Sequence, residues 1–252
     1  MNDARSRSAH VASLGRTKPL GGLVLGVALL AVGFAAWQFA TTAQVQPEHH
    51  LPAPGRVLEA LADHWPTLWA AIIVTVRTVA FSTMIGLAIA APVCVVLGAL
   101  AFAMPGFGRA LRFLAIWIGD ASPLLIVTLL PLFVFWAGIG EGTRIRAAAT
   151  GAALAFVAAM LGMLTAHGLA GIAPAVLRGL RHATLLALLL AVVCDMVAGR
   201  DGLGHMLLAA TAMLNTALAM AATLVIWLVG LVAAAILLVA EWAVTRAVER
   251  VA

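Results

Sequence analysis

From residue 20 to residue 40 the chain carries no charged side chain, and Gln38 is its one strongly polar group. A helix of that length crosses the roughly 30 Å hydrocarbon layer of a bilayer. Apolar stretches of comparable character recur at about 79–103, 113–137, 147–166, 183–198 and 216–240. In lipid every backbone N–H and C=O must be bonded internally, so such stretches fold as helices. The expected fold is all-α, a polytopic integral membrane protein with about six transmembrane helices.

Composition agrees: 64% of residues are hydrophobic, 10% are charged, and the mean hydropathy is +1.10, outside the usual range of a soluble domain. The formal charge of +5 is spread over the ends of apolar segments, the pattern of a topology signal rather than of a phosphate-binding face. No nucleic-acid partner is expected; the bilayer is. Cys94 and Cys194 lie inside apolar runs with no second ligand at metal spacing, and His49, His50 and His64 read as solvated side chains. No metal site is expected.

In order, residues 1–19 are a basic cytoplasmic tail and 20–41 a first, uncleaved anchor. Residues 42–67 are a periplasmic segment holding a short amphipathic helix, in which Val57, Leu58, Leu61 and Trp65 form one stripe. Residues 68–252 are the transmembrane core. In it, 68–78, with Arg77, reads as an interfacial lead-in, 138–146 as an outside turn, 167–182 as a cytoplasmic loop and 200–214 as an outside segment. Arg5, Arg7, Arg16, Lys18, Arg109, Arg112, Arg178, Arg181, Arg246 and Arg250 fall in predicted inside segments, ten of the fifteen Lys and Arg. That two-to-one bias places both termini in the cytoplasm.

The stretch PAVLRGLRHATLLALLLAVVCDMVAGRDGLG (174–204) organises the rest: two arginines, an apolar helix, one acid at its far end, and a glycine turn. An acid on a membrane helix is costly, roughly 2.5–3.5 kcal/mol on insertion scales. Asp195, and Asp120 in WIGDASP, therefore line a path or gate, or sit at the membrane boundary bonded to helix ends. With Pro123, Gly202 and Gly204, they are the candidate residues of a translocation path. No G-x-x-x-x-G-K-[ST], H-E-x-x-H or G-x-S-x-G is present, and no enzymatic activity is expected.

LPAPGRVLEAL (51–61), PLLIVTLLPLFVFWAGIGEGTRI (123–145), PAVLRGLR (174–181) and VVCDMVAGRDGLG (192–204) together resemble the permease subunit of binding-protein-dependent ABC importers of the nitrate/sulfonate/taurine type. That resemblance implies a bacterial inner-membrane protein that forms a path for a small anion or organic solute. It implies three partners: an ABC ATPase subunit that binds the ATP, a periplasmic solute-binding protein, and a second permease subunit. This chain would hold no cofactor. Arg109, Arg112, Arg178 and Arg181 would face the cytoplasmic partner, and Arg144, Arg146 and 200–214 the delivery protein. The resemblance departs from the family pattern at two places, one of them Asp120 in WIGDASP, where the family often has a basic residue before its proline. HGLAGIAPAVLRGLRH (167–182) has no acid-Ala-Ala and no L-G-A-S, the EAA-type segment that docks on the ATPase, and its Gly168, Gly171 and Pro174 oppose a docking helix over 167–177. A permease-derived scaffold, or a non-coupling partner of a second permease, is the alternative.

Overall fold

The computed structural model describes residues 19–42, 51–167 and 172–251. The basic tail over 1–18, and His49 and His50, lie outside them. All described regular elements are helices: α1 (Pro19–Thr42), α2 (Pro54–Asp63), α3 (Trp65–Ala103), α4 (Pro105–Ala137), α5 (Glu141–His167), α6 (Ile172–Ala198), α7 (Leu203–Ala212) and α8 (Thr216–Val251). The chain divides into two compact units, Met1–Leu58 and Glu59–Ala252. In the first, α1 is a 24-residue helix at the position of the expected anchor. Its Trp37 Nε1 donates to the Pro52 carbonyl at 3.1 Å.

The second unit holds five helices long and apolar enough to cross a membrane: Trp65–Ala103, Gly106–Ala137, Glu141–Leu164, Ala175–Ala198 and Thr216–Arg246. Several bounds differ from the sequence reading. The expected lead-in before residue 79 does not exist as a separate element: α3 is one helix of 39 residues that includes Arg77. Arg77 stays half exposed, donating to Glu141 Oε1 at 2.9 Å, so its charge gives no reason to break the helix. The outside turn over 138–146 shrinks to 138–140. Gly138 and Gly140 have φ of 76° and 134°, which reverse the chain quickly, and Glu141 then supplies an acid at the positive end of α5. Arg144 and Arg146 consequently sit in helix. The segment 167–182, expected as a cytoplasmic loop, is helix from Ile172 onward. α6 starts at Ile172, with Pro174 in the first turn, where a missing N–H has no intrahelical partner to lose. α8 runs on past residue 240 to Val251.

α5 is the central helix: 67% of its apolar window is buried, against 22% for α3 and α4, 44% for α6 and 11% for α8. Small residues make that possible. Ala147, Ala148, Ala149, Ala152 and Ala155 are buried, and neighbouring backbones close in on them. A Cβ on Gly86 of α3 would stand 2.7 Å from the Ala149 carbonyl oxygen, and one on Gly179 of α6 would stand 2.9 Å from the Phe156 ring. The main core gathers α3, α4, α5 and α6, including Ile126, Leu161, Leu190 and Phe156. The large apolar residues on the outer faces of α3, α4 and α8 stay exposed, as on a surface that meets lipid.

Charged pairs gather at two depths. At one end Arg77 meets Glu141, and Arg144 meets Asp195 and Asp201; at the other, Arg178 and Arg181 meet Glu241. Along α6, Arg178 and Asp195 are 17 residues apart, about 25 Å. That is close to the thickness of a hydrocarbon layer. Beyond the Asp195 end lie the first turns of α3, all of α7 and the start of α8. They have small cores of their own, one around Leu68, Ala71, Leu203, Ala222 and Val225, the other around Ala210, Leu218 and Ala219.

Candidate functional site

At the last turn of α6 the chain places Asp195, fully buried, and the glycine turn behind it decides what surrounds the carboxylate. Gly202 has φ 93°, a conformation side chains rarely adopt, and a Cβ there would stand 2.9 Å from Asp195 Cγ. A Cβ on Gly204 would stand 2.7 Å from Asp195 Cβ. Both glycines therefore let the turn fold directly over the acid. The backbone N–H of Leu203, between them, donates to Thr75 Oγ1 of α3 at 2.9 Å.

The counter-charge comes from α5. Arg144 Nη1 donates to Asp195 Oδ1 at 2.9 Å, to Asp201 Oδ1 at 2.7 Å and to the Asp201 carbonyl at 3.3 Å. Arg144 is 3% exposed and Asp195 0%, whereas Asp201 is 57% exposed. Arg144 is held in place by a helix start whose Thr143 Oγ1 donates back to the Gly138 carbonyl. One guanidinium thus ties the start of α5, the end of α6 and the turn before α7 together. The assignment of Arg144 to an exposed contact with a delivery protein is corrected: its side chain is buried in this cluster. Arg146, two residues on, is exposed.

Asp120 and Pro123 lie elsewhere. They line a cleft of about 630 Å³ between α4, α5 and α6, with Arg178 and His182 also on its wall. A Cβ on Gly119 would stand 3.6 Å from Ala158 Cβ, and Phe156 packs at Gly179. Asp120 is therefore within about one helical turn of the depth of Arg178. Asp120, Arg178 and His182 are the ionisable groups of the cleft lining, and the rest, including Pro123, Leu186 and the exposed Leu189, is apolar or small. Arg178 Nε donates to Glu241 Oε1 at 3.2 Å and Nη1 points to Met163 Sδ at 3.4 Å, while Arg181 Nε lies 3.5 Å from Glu241 Oε2. Arg109 and Arg112, by contrast, are exposed near the start of α4.

The five candidate path residues thus separate into two places. Asp195, Gly202 and Gly204 belong to the buried charge cluster, and Asp120 and Pro123 to the cleft at the other end. Sequence reasoning did not pair Arg144 with Asp195, and it gave no individual role to Asp201, Thr75 or Glu241. For Arg144 a signal existed, since a buried acid requires a cation and few basic residues lie near a helix end of matching depth. For Thr75 none did. Among the described residues no group of three or more His, Cys, Asp and Glu converges as a metal site would require.

No protein-family model matches the chain, and no curated protein matches it. Nothing in those comparisons bears on the resemblance to importer permeases.

Proposed function

We propose that this chain is a permease-type subunit of a membrane transporter, one that lines a path for a small solute and performs no covalent chemistry. The observation that carries this reading is the contrast between the two ends of one helix bundle. The Asp195 end is sealed by a buried ion cluster and a tight glycine turn, and the Arg178 end opens into a cleft. A bundle closed at one side and open at the other is one of the two states that alternating access requires. With the basic residues counted inside, the cleft faces the cytoplasm of a bacterial inner membrane, both termini lie on that side, and the small cores beyond Asp195 face the periplasm, where a solute-binding protein would dock.

In this reading ATP is hydrolysed by a separate subunit, and a second permease completes the path. The link from α5 to α6 argues for a division of labour. His167 ends one helix and Ile172 begins the next, so only four residues separate them. A coupling element seated in an ATPase groove requires a rigid segment longer than that. The second reading, favoured by this observation, is that the chain is the non-coupling partner, or a permease-derived scaffold, and its companion engages the ATPase.

The deciding experiment is co-purification of the tagged chain in mild detergent with its ATPase, with and without a second permease subunit. The permease reading expects a complex containing all three, and the non-coupling reading expects the ATPase only when the second permease is present. Recovery of the chain with neither partner under any condition argues for the scaffold. Stoichiometric capture of the ATPase by this chain alone rules out the non-coupling assignment.

A further inference from the structure

From a groove between α3, α5 and α6 we infer a second site, one that holds an acyl chain of an anionic phospholipid. It shares no lining residue with the cleft at Asp120. The inference is independent of the transport reading and requires only that the apolar helices lie in a bilayer. The groove has a volume of about 520 Å³ and is lined by apolar side chains, Gly98 and the buried Cys94. Apart from the soft sulfurs of Cys94 and Met160, no side chain on its wall can hydrogen-bond, so water gains little there. On α3 it runs from Ala91 to Phe102, a separation of 11 residues and about 16 Å. Phe156 and Leu164 of α5 follow alongside, and Ile172 and Val176 in the first turns of α6 close the wall. A Cβ on Gly98 would stand 3.5 Å from Leu164 Cδ1, so α3 and α5 touch within it. Val95, Phe102, Ile172 and Val176 are exposed, so the groove opens on the outer surface.

Length, volume and charge select the occupant. The groove starts at the last turns of α3 and α5, where the helices leave the bilayer, and its length is about half of a 30 Å hydrocarbon layer. That is the reach of the acyl chains of one leaflet. A helix of the same length would fill about 1,200 Å³, so a neighbouring subunit can lay side chains over the groove but cannot enter it. The charge at the open end is positive. Between residues 79 and 119 the chain has no acid, whereas Arg109 and Arg112 stand in the first turns of α4. There α4 folds back on α3: a Cβ on Gly108 would stand 3.2 Å from the Ala101 carbonyl oxygen. The exposed Arg109, next in sequence, therefore lies at the Phe102 end of the groove. A phosphate head at that end meets the guanidinium while its tail descends from Phe102 toward Ala91.

The probe is phosphatidylglycerol with a diazirine in its acyl chain, photolysed in nanodiscs that hold the full chain, with the adducts mapped by mass spectrometry. Adducts on residues 91–102, and on Ile172 and Val176, should be several-fold denser than on Leu231, Ile236 and Val239, which are exposed on the outer face of α8. Ala99 is exposed on the groove wall, and Ala99→Trp should bring the groove adducts down to the α8 level. Arg109→Gln should lower the groove adducts of phosphatidylglycerol by about fivefold and leave those of phosphatidylcholine with the same tail unchanged. Both variants should melt with the parent, since both positions are exposed. If Ala99→Trp does not fold, Arg109→Gln decides the matter. Equal labelling of the groove and of α8, or groove adducts that survive Ala99→Trp, overturns the inference. An Arg109→Gln variant that labels like the parent, or that loses both lipids equally, overturns the anionic head. Disulfide-linked dimers formed through Val95→Cys, with loss of the lipid adducts, show a second copy seated on the groove and overturn the site altogether.

Discussion

Arg144 and Asp195 meet at 2.9 Å across 51 residues of sequence, both essentially removed from solvent. Their pairing joins the first turn of one helix to the last turn of the next. A buried ion pair is weak evidence of net stabilisation, because desolvation offsets much of the attraction. Removal of one partner is another matter, since it strands a charge.

That asymmetry makes the first prediction. Arg144→Met should destabilise the protein by about 3–5 kcal/mol, because Asp195 is then buried without a cation. Asp195→Leu should cost less, since Asp201 still faces the guanidinium. The double variant Arg144→Met/Asp195→Leu should be more stable than Arg144→Met alone. Thermal unfolding in detergent measures all three, and a strictly additive loss in the double variant would show that the pair is not coupled.

A contrast checks that burial is the cause. The Arg77–Glu141 pair has the same 2.9 Å separation, but both side chains are 52% exposed. Arg77→Ala should change stability by about 1 kcal/mol or less. A loss as large as that of Arg144→Met would place Arg77 in a drier setting than its exposure indicates.

The glycine turn yields the next prediction. Gly202→Ala must adopt φ 93° and press a Cβ on the Asp195 carboxylate, and Gly204→Ala presses on the same residue. At Gly202 the backbone strain alone is about 1–3 kcal/mol. Gly142→Ala, with open space around it and no unusual φ, should be nearly neutral. Monodispersity and melting temperature on size exclusion should rank Gly142→Ala above both turn variants. Wild-type behaviour of Gly202→Ala would mean that the turn has room for a Cβ above Asp195.

Topology gives the fourth. Reporter fusions after Arg112 and His167 should read as cytoplasmic, and fusions after Glu141 and Asp201 as periplasmic. A periplasmic signal at His167 would invert the bundle and turn the open cleft to the outside.

How far the chain could be read in advance varied with the physics involved. Long apolar runs announce membrane helices because lipid leaves the backbone no other option, and 113–137, 147–166 and 216–240 all fall inside observed helices. Helix ends were harder. Arg77 looked like a boundary because charge is read as an exit from lipid, yet a helix continues past the bilayer without cost when water and Glu141 satisfy the arginine. Pro174 looked like a breaker, but proline in a first turn breaks nothing; Gly168 and Gly171 lie outside the described residues. Asp195 was visible as a lone acid, and the glycines behind it as a turn. Its partner was not, because Arg144 read as one of two arginines in an outside turn, and only the early start of α5 buries it.

The same pairing bears on how the protein is made. As α5 leaves the ribosome it carries Glu141, Arg144 and Arg146 into a translocon beside many alanines, a segment poorly suited to remain alone in lipid. The chain that neutralises Arg144 follows after only four connecting residues, with Asp195 at the far end of α6. The two helices are therefore expected to enter the bilayer as one hairpin, with the charge cancelled before either helix is released. Site-specific crosslinking of stalled nascent chains should find α5 still beside the translocon until α6 has emerged as well, and earlier release of α5 would argue against a paired entry.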